Sequence, residues 1–146
     1  MSDSNSIISV GEITVEFLVD EVASDGAATV FEVSVPAGAR VPAAHSHDGF
    51  DECVYGLDGV LTFAIEGETR ELRPGDAICV RRGQVHAFHN HGDVGARMLS
   101  VATPGVFGPS YFRDIAAVLS AGGPPDLAEL AATMKRHGLT PAAPAS

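Results

Sequence analysis

Residues 45–59 read HSHDGFDECVYGLDG, so two of the chain's six histidines stand one residue apart, followed by two adjacent acids and a turn. A β-strand alternates its side chains between faces, so His45 and His47 point the same way if this stretch is extended. Two imidazoles aimed at one spot, with a carboxylate close behind, form a metal-ligand pattern. The pattern needs a scaffold, a further ligand and room for a substrate from the rest of the chain.

A scaffold is legible on both sides. From Val10 to about residue 103 the chain falls into short runs rich in Val, Ile, Phe and Thr: ITVEFLV, ATVFEVSV, ECVYGL, VLTFAIE, DAICVRR, VHAFHN and ARMLSVAT. Turn formers such as ASDGA, PAGAR, GLDG and RPGD separate them. Many short strands punctuated in this way argue for an all-β sandwich or barrel. Phe31, Val33 and Val35 alternate, as do Leu61, Phe63 and Ile65, so each set can line one face.

After TPGVFGP the composition shifts to Ala and Leu, and SYFRDIAAVLSAGG and PPDLAELAATMKRHG read as helices. In the second, the proline pair opens the helix, Lys135, Arg136 and His137 fill its last turn, and Gly138 stops it. Leu127, Leu130, Ala131 and Met134 form an apolar stripe expected to pack on the outside of the β-core. The reading divides the chain into a flexible N-terminus (1–9), a β-barrel (10–104), a helical extension (105–138) and a flexible tail (139–146).

Bulk properties narrow the function. The 146 residues suit one domain, and 45% hydrophobic with 19% charged residues is an ordinary globular composition. A formal net charge of −10 repels phosphate backbones and anionic membrane surfaces, which argues against nucleic-acid and membrane partners. No apolar run approaches the roughly 20 residues that span a bilayer. The opening MSDSNSIISVGE lacks the basic and apolar segments of a signal peptide. Cys53 and Cys79 are too few for a disulfide framework. The expectation is a soluble, cytoplasmic protein with reduced thiols.

A second histidine segment, PGDAICVRRGQVHAFHN, carries Gly75, Gly83, His86 and Asn90. Together the two segments resemble the paired motifs of the cupin superfamily. In the first motif a glycine precedes two histidines one residue apart, a glutamate follows after three or four residues, and a glycine after six more. His45, His47, Glu52 and Gly59 match, while Gly38 stands one residue further upstream than usual. In the second motif Gly75, Gly83, His86 and Asn90 match, and Arg81 replaces the expected proline. Asp51 competes with Glu52 for the acidic position. Glu52 is preferred because CVYGLDG then falls into the family's register, which leaves Asp51 a solvated rim acid.

The resemblance implies an all-β, double-stranded β-helix, the cupin jelly-roll barrel, with two C-terminal α-helices packed on its exterior. It also implies one divalent transition metal ion (Fe, Mn, Ni, Cu or Zn) held by His45, His47, Glu52 and His86. Imidazoles with one carboxylate suit such ions. The barrel followed by two helices is similar to single-domain, quercetin-dioxygenase-like cupins. That likeness implies an oxidoreductase acting on a metal-chelating enol or flavonol-like substrate, with Glu52 as catalytic base. The same ion also suits a non-oxidative lyase, isomerase or hydrolase, and a non-catalytic binding cupin is a third possibility.

Val54, Phe63, Ile65, Phe88 and Met98 are expected on inward faces as walls of a small-molecule pocket. Phe107, Tyr111 and Phe112 are expected to pack in the core rather than to cover the barrel mouth. Cys53 alternates away from Glu52 and is expected to be a small packing residue. A homodimer is expected, because cupin barrels commonly pair and a sheet edge such as ITVEFLV invites a second copy.

Overall fold

The computed structural model describes residues 7–41 and 43–142. The strands are β1 (Ile7–Val10), β2 (Ile13–Val19), β3 (Thr29–Val35), β4 (His45–His47), β5 (Asp51–Asp58), β6 (Leu61–Ile65), β7 (Glu68–Leu72), β8 (Ala77–Val80), β9 (His86–His89), β10 (Ala96–Thr103) and β11 (Leu139–Pro141). Two helices, α1 (Pro109–Leu119) and α2 (Leu127–Arg136), lie between β10 and β11. The strands form two antiparallel sheets, ordered β1-β2-β3-β10-β5-β8 and β11-β4-β9-β6-β7. Their inner faces enclose the core, giving the expected mostly-β jelly roll with two C-terminal helices.

Alternation builds that core. Phe31, Val33 and Val35 of β3 and Leu61, Phe63 and Ile65 of β6 are all buried, each set on one face of its strand. Phe31 lies within stacking or edge contact of Phe17, Phe107 and Phe112, so the aromatic core reaches from the sheet into the α1 segment. Turns set the strand ends. At Gly59 the backbone has φ +66°, and an added Cβ would lie 2.5 Å from the Gly95 carbonyl oxygen, which glycine alone avoids.

Several expectations need correction. ITVEFLV, expected at a sheet edge, is flanked by β1 and β3; the edges of its sheet are β1 and β8. Leu139–Pro141, assigned to a flexible tail, instead forms β11 and pairs with His45–His47. Residues 7–9, assigned to a flexible N-terminus, belong to β1, which pairs with β2. The rest of those two ends, residues 1–6 and 143–146, lies outside the described residues.

The proline pair precedes α2 rather than opening it. Asp126 is the N-cap, and its carboxylate accepts a hydrogen bond from the Glu129 amide at 3.1 Å. Leu130 and Met134 are buried as the stripe requires, but Leu127 is 75% exposed. His137, at the helix C-terminus, joins the helices through a 2.8 Å contact with Asp114.

Candidate metal centre

The two histidine segments meet across one ladder. His45 on β4 pairs directly with His86 on β9, and His47 lies two residues along β4 on the same face. The ladder places one ligand atom from each of these histidines within 4.8 Å of the others. Neighbouring strands hold β4 on both sides, since β11 opposes it across the edge away from β9. The turn before β9 is fastened as well. The Gly83 amide donates to the His47 carbonyl at 2.8 Å, and the Arg81 amide donates to the Gln84 side chain at 2.8 Å. Arg81 therefore stands in the proline position without loosening that turn.

Backbone contacts select the tautomers. The Nδ1 atoms of His45 and His86 lie 2.9 Å from the carbonyl oxygens of Ala43 and Gln84. A carbonyl only accepts, so each Nδ1 carries the proton and each Nε2 keeps a free lone pair. Such outer contacts orient metal-binding imidazoles and raise their basicity. His47 stacks on Phe50, with ring centroids 4.3 Å apart, and its buried Nδ1 has no hydrogen-bond partner.

Burial, and then the charge of a neighbouring imidazole, pushes the pKa of His45 down to about 4 and that of His47 down to about 2. Burial lowers that of His86 as well. All three rings are therefore neutral near pH 7, the state a metal ligand needs.

Glu52 enters from the opposite sheet. It sits on the inner face of β5, and its Oε1 lies 3.7 Å from His47 Nε2. Burial raises its pKa to about 7. The adjacent Ser100 hydroxyl pulls the other way, although no hydrogen bond of normal geometry reaches it. Among the described residues no Lys or Arg pairs with Glu52. Three lone pairs and a carboxylate with no compensating cation fit a divalent ion of the borderline class. An ion here would relieve the cost of a buried, unpaired carboxylate.

These four side chains share a cavity of about 80 Å³. Phe63, Phe88 and Met98 line it as expected. Val54 and Ile65 are buried core residues that do not line it, which corrects their assignment to the pocket wall. Alternation placed both inside the barrel, where they are buried; Ile65 stands directly across the ladder from His86 but does not border the cavity.

The other side of the cavity comes from residues given to plain core packing. Phe107, Tyr111 and Phe112 line it, and Phe107 continues the stack from His47 and Phe50 at a 4.9 Å centroid distance. Burial first, and then the charge of Glu52, raises the Tyr111 pKa, which places its hydroxyl in the field of that carboxylate. No periodic signal in TPGVFGPSYF could have revealed this, because the path of the loop decides it.

The remaining motif residues have structural work. Asn90 is buried; its Nδ2 donates to the Val35 and Val94 carbonyls, and its Oδ1 accepts from the Gly92 amide, each at 2.9 Å. Asp51 faces away from the cavity, as expected, but is engaged rather than merely solvated: it accepts from the Arg82 amide at 2.8 Å and from Nη2 at 3.1 Å. Cys53 also turns away from Glu52, and it is exposed rather than packed.

Comparison with known proteins agrees with this geometry. A family model described as Cupin domain matches residues 31–102. The chain is 32% identical over 92 residues to quercetin 2,3-dioxygenase of Bacillus subtilis (strain 168), covering 63% of this chain and 26% of that protein. It is 35% identical over 60 residues to the tetracenomycin polyketide synthase protein TcmJ of Streptomyces glaucescens, covering 41% of this chain and 40% of the relative. The matches thus span about a quarter and two fifths of these two relatives. Among solved structures, the chain is similar to a predicted oxalate decarboxylase of Thermotoga maritima. The identity is 26% and the TM-score 0.62, covering 68% of this chain and 90% of that one.

Proposed function

The chain belongs to the cupin superfamily, and on that premise we propose that it is a metal-dependent small-molecule enzyme, an oxidoreductase of the dioxygenase type. Its substrate is a small enol or enolate that chelates the ion. The observation that supports this reading is the convergence of His45, His47, His86 and Glu52 in one small, largely apolar cavity. A bound divalent ion supplies Lewis-acid polarisation of the chelating oxygens. The three imidazoles hold it, and Glu52 takes the substrate's enol proton at a carboxylate oxygen. Burial raises the pKa of Glu52 in the ion-free protein, and a divalent ion beside it would lower it again. Glu52 would then be a carboxylate able to take that proton at neutral pH. Phe63, Phe107 and Met98 keep water from the reacting atoms.

Size refines the substrate class. Pockets for drug-sized ligands run from roughly 300 to 1,000 Å³, whereas this cavity holds about 80 Å³. A flavonol does not fit unless Phe107 and its loop move. A compact β-dicarbonyl is the better match.

The test begins with elemental analysis of protein purified without added metal. Oxygen-electrode assays with β-dicarbonyls and flavonols follow. Uptake with a small β-dicarbonyl, lost in Glu52→Gln, is the expected result. Absence of uptake with every substrate from protein carrying one ion per chain defeats the oxidative reading.

The likeness to a polyketide synthase protein and to a predicted oxalate decarboxylase supports a second reading, non-oxidative lyase, isomerase or hydrolase chemistry at the same ion. Substrate loss at an unchanged rate under anaerobic conditions would favour it. Metal-dependent ligand binding without turnover would favour a binding protein. The proposal includes a homodimer, formed through an open edge such as β1 or β8 and measurable by light scattering.

A further inference from the structure

On the outer face of the six-stranded sheet, away from the metal centre, Cys53 of β5 lies directly opposite Cys79 of β8. Both thiols are free and exposed, and they are close enough to interact with each other. They are the chain's two cysteines. Strand β8 is the sheet's edge, so only β5 restrains it laterally.

The type of pairing matters. The Gly56 amide donates to the Asp76 carbonyl at 2.9 Å. The β5–β8 register places Gly56 opposite Asp76, so that is a hydrogen-bonded pair. Hydrogen-bonded and non-hydrogen-bonded pairs alternate along an antiparallel ladder. Three steps along, Cys53 and Cys79 therefore form a non-hydrogen-bonded pair. Such pairs bring opposed Cα atoms to about 4.5 Å. That distance lies at the short end of the roughly 4.4–6.8 Å range a disulfide spans. A bond formed there joins residues already in register and needs no rearrangement of the fold. Its short span and its exposure make it easily reduced, as labile disulfides are.

We infer that Cys53 and Cys79 are a redox-active dithiol, converted reversibly into a cross-strand disulfide by a low-molecular-weight disulfide such as oxidised glutathione. One cysteine, as thiolate, attacks a sulfur of the glutathione disulfide. The S–S bond of that molecule breaks, a mixed disulfide forms and one glutathione leaves as thiol. The second cysteine attacks the protein sulfur of the mixed disulfide, forms the Cys53–Cys79 bond and expels the second glutathione. The protein loses two protons and two electrons, and the oxidant gains them as two thiols. The new bond fastens edge strand β8 to β5 one residue beyond Glu52, whose ladder partner is Val80.

The test uses the whole chain equilibrated with glutathione buffers of graded redox ratio and does not depend on activity. Free thiols are expected to fall from two per chain to none, with a monomer lighter by two hydrogens. A proteolytic fragment joining Cys53 to Cys79 should appear, and dithiothreitol should restore both thiols. In Cys53→Ser or Cys79→Ser the surviving thiol should retain a glutathione adduct, because no partner resolves it. Wild-type chains that keep both thiols, carry a glutathione on each, or cross-link between copies would overturn the inference.

Discussion

Strand β5 carries two chemistries back to back. Its inner face presents Glu52 to His47 in the cavity they share with His45 and His86, and its outer face presents Asp51 to a guanidinium and Cys53 to a second thiol. Glu52 and Asp51 are adjacent carboxylates, yet burial raises the pKa of one to about 7 while Arg82 holds the other down at about 2. Sequence neighbours thus differ because a strand turns them into different media. Outside, the protein supplies the countercharge. Inside it leaves a carboxylate and several lone pairs without a protein cation, a set that a divalent ion would complete.

The most severe way to break the difference is to remove an inner ligand. His47→Ala is expected to lose its metal, and with it any turnover. The effect should exceed the roughly 10–100-fold that loss of an outer-shell partner costs. Elemental analysis checks the stoichiometry, and circular dichroism checks that the barrel remains folded. A variant that retains one ion per chain would refute this ligand set.

Opening the inner face to water should blur the contrast without touching a ligand. Phe107 is 5% exposed and closes the cavity on Phe50, Tyr111 and Phe112. Phe107→Ala is expected to cost about 3–5 kcal/mol of stability, as other buried Phe truncations do. It should also let bulkier chelators reach the site and bring the Glu52 pKa back toward the ordinary carboxylate range. Denaturant unfolding measures the first effect, and a size-graded inhibitor series measures the second. A large stability loss with unchanged size discrimination would mean that Phe107 packs the core without bounding the site.

The same two faces explain what was readable in the sequence. His45, His47, Glu52 and His86 were legible as candidate ligands through the resemblance to the paired cupin motifs; alternation by itself put only His45 and His47 on one face. Strand β10 was found residue for residue, since its inner positions are buried and its outer ones are not. Strand β7 was missed because ETREL leaves four of its five side chains exposed, so it shows no apolar alternation. Strand β11 was missed because three residues ending in proline carry little local preference; its partner β4 makes it a strand. Phe107 and Tyr111 pack in the core as expected, and they also line the cavity. That second role depends on how the segment after β10 returns to the barrel, which no local pattern encodes.

Titration of the metal-free protein should show the inner face acting alone. Folded His45 and His47 have pKa values of about 4 and about 2, against 6.5 for the ordinary imidazole. Below pH 6.5 the unfolded chain therefore binds more protons, and stability should fall as pH drops from 6.5 toward 4. The His45 shift alone corresponds to about 3 kcal/mol over that window. Glu52, raised to about 7 from 4.5, acts in the opposite sense, since the folded state holds its proton between those values. It offsets only part of the imidazole effect, so the optimum should lie near pH 6.5. Urea midpoints measured from pH 4 to 8 without metal check the sign. A flat profile would mean that water reaches the site.

The outer face should give the smallest response. Asp51→Asn removes a charge from an exposed ion pair, and exposed pairs contribute little because solvent screens them. The asparagine Oδ1 can still accept from the Arg82 amide, so the turn between β8 and β9 keeps its anchor. Metal content should equal that of the parent, and the urea midpoint should barely move. Even so, Asp51 lies beside Glu52, and Arg82 lies four residues before His86. If Asp51→Asn lost half its metal, the rim pair would have to position two ligands, and the two faces of β5 would be coupled rather than independent.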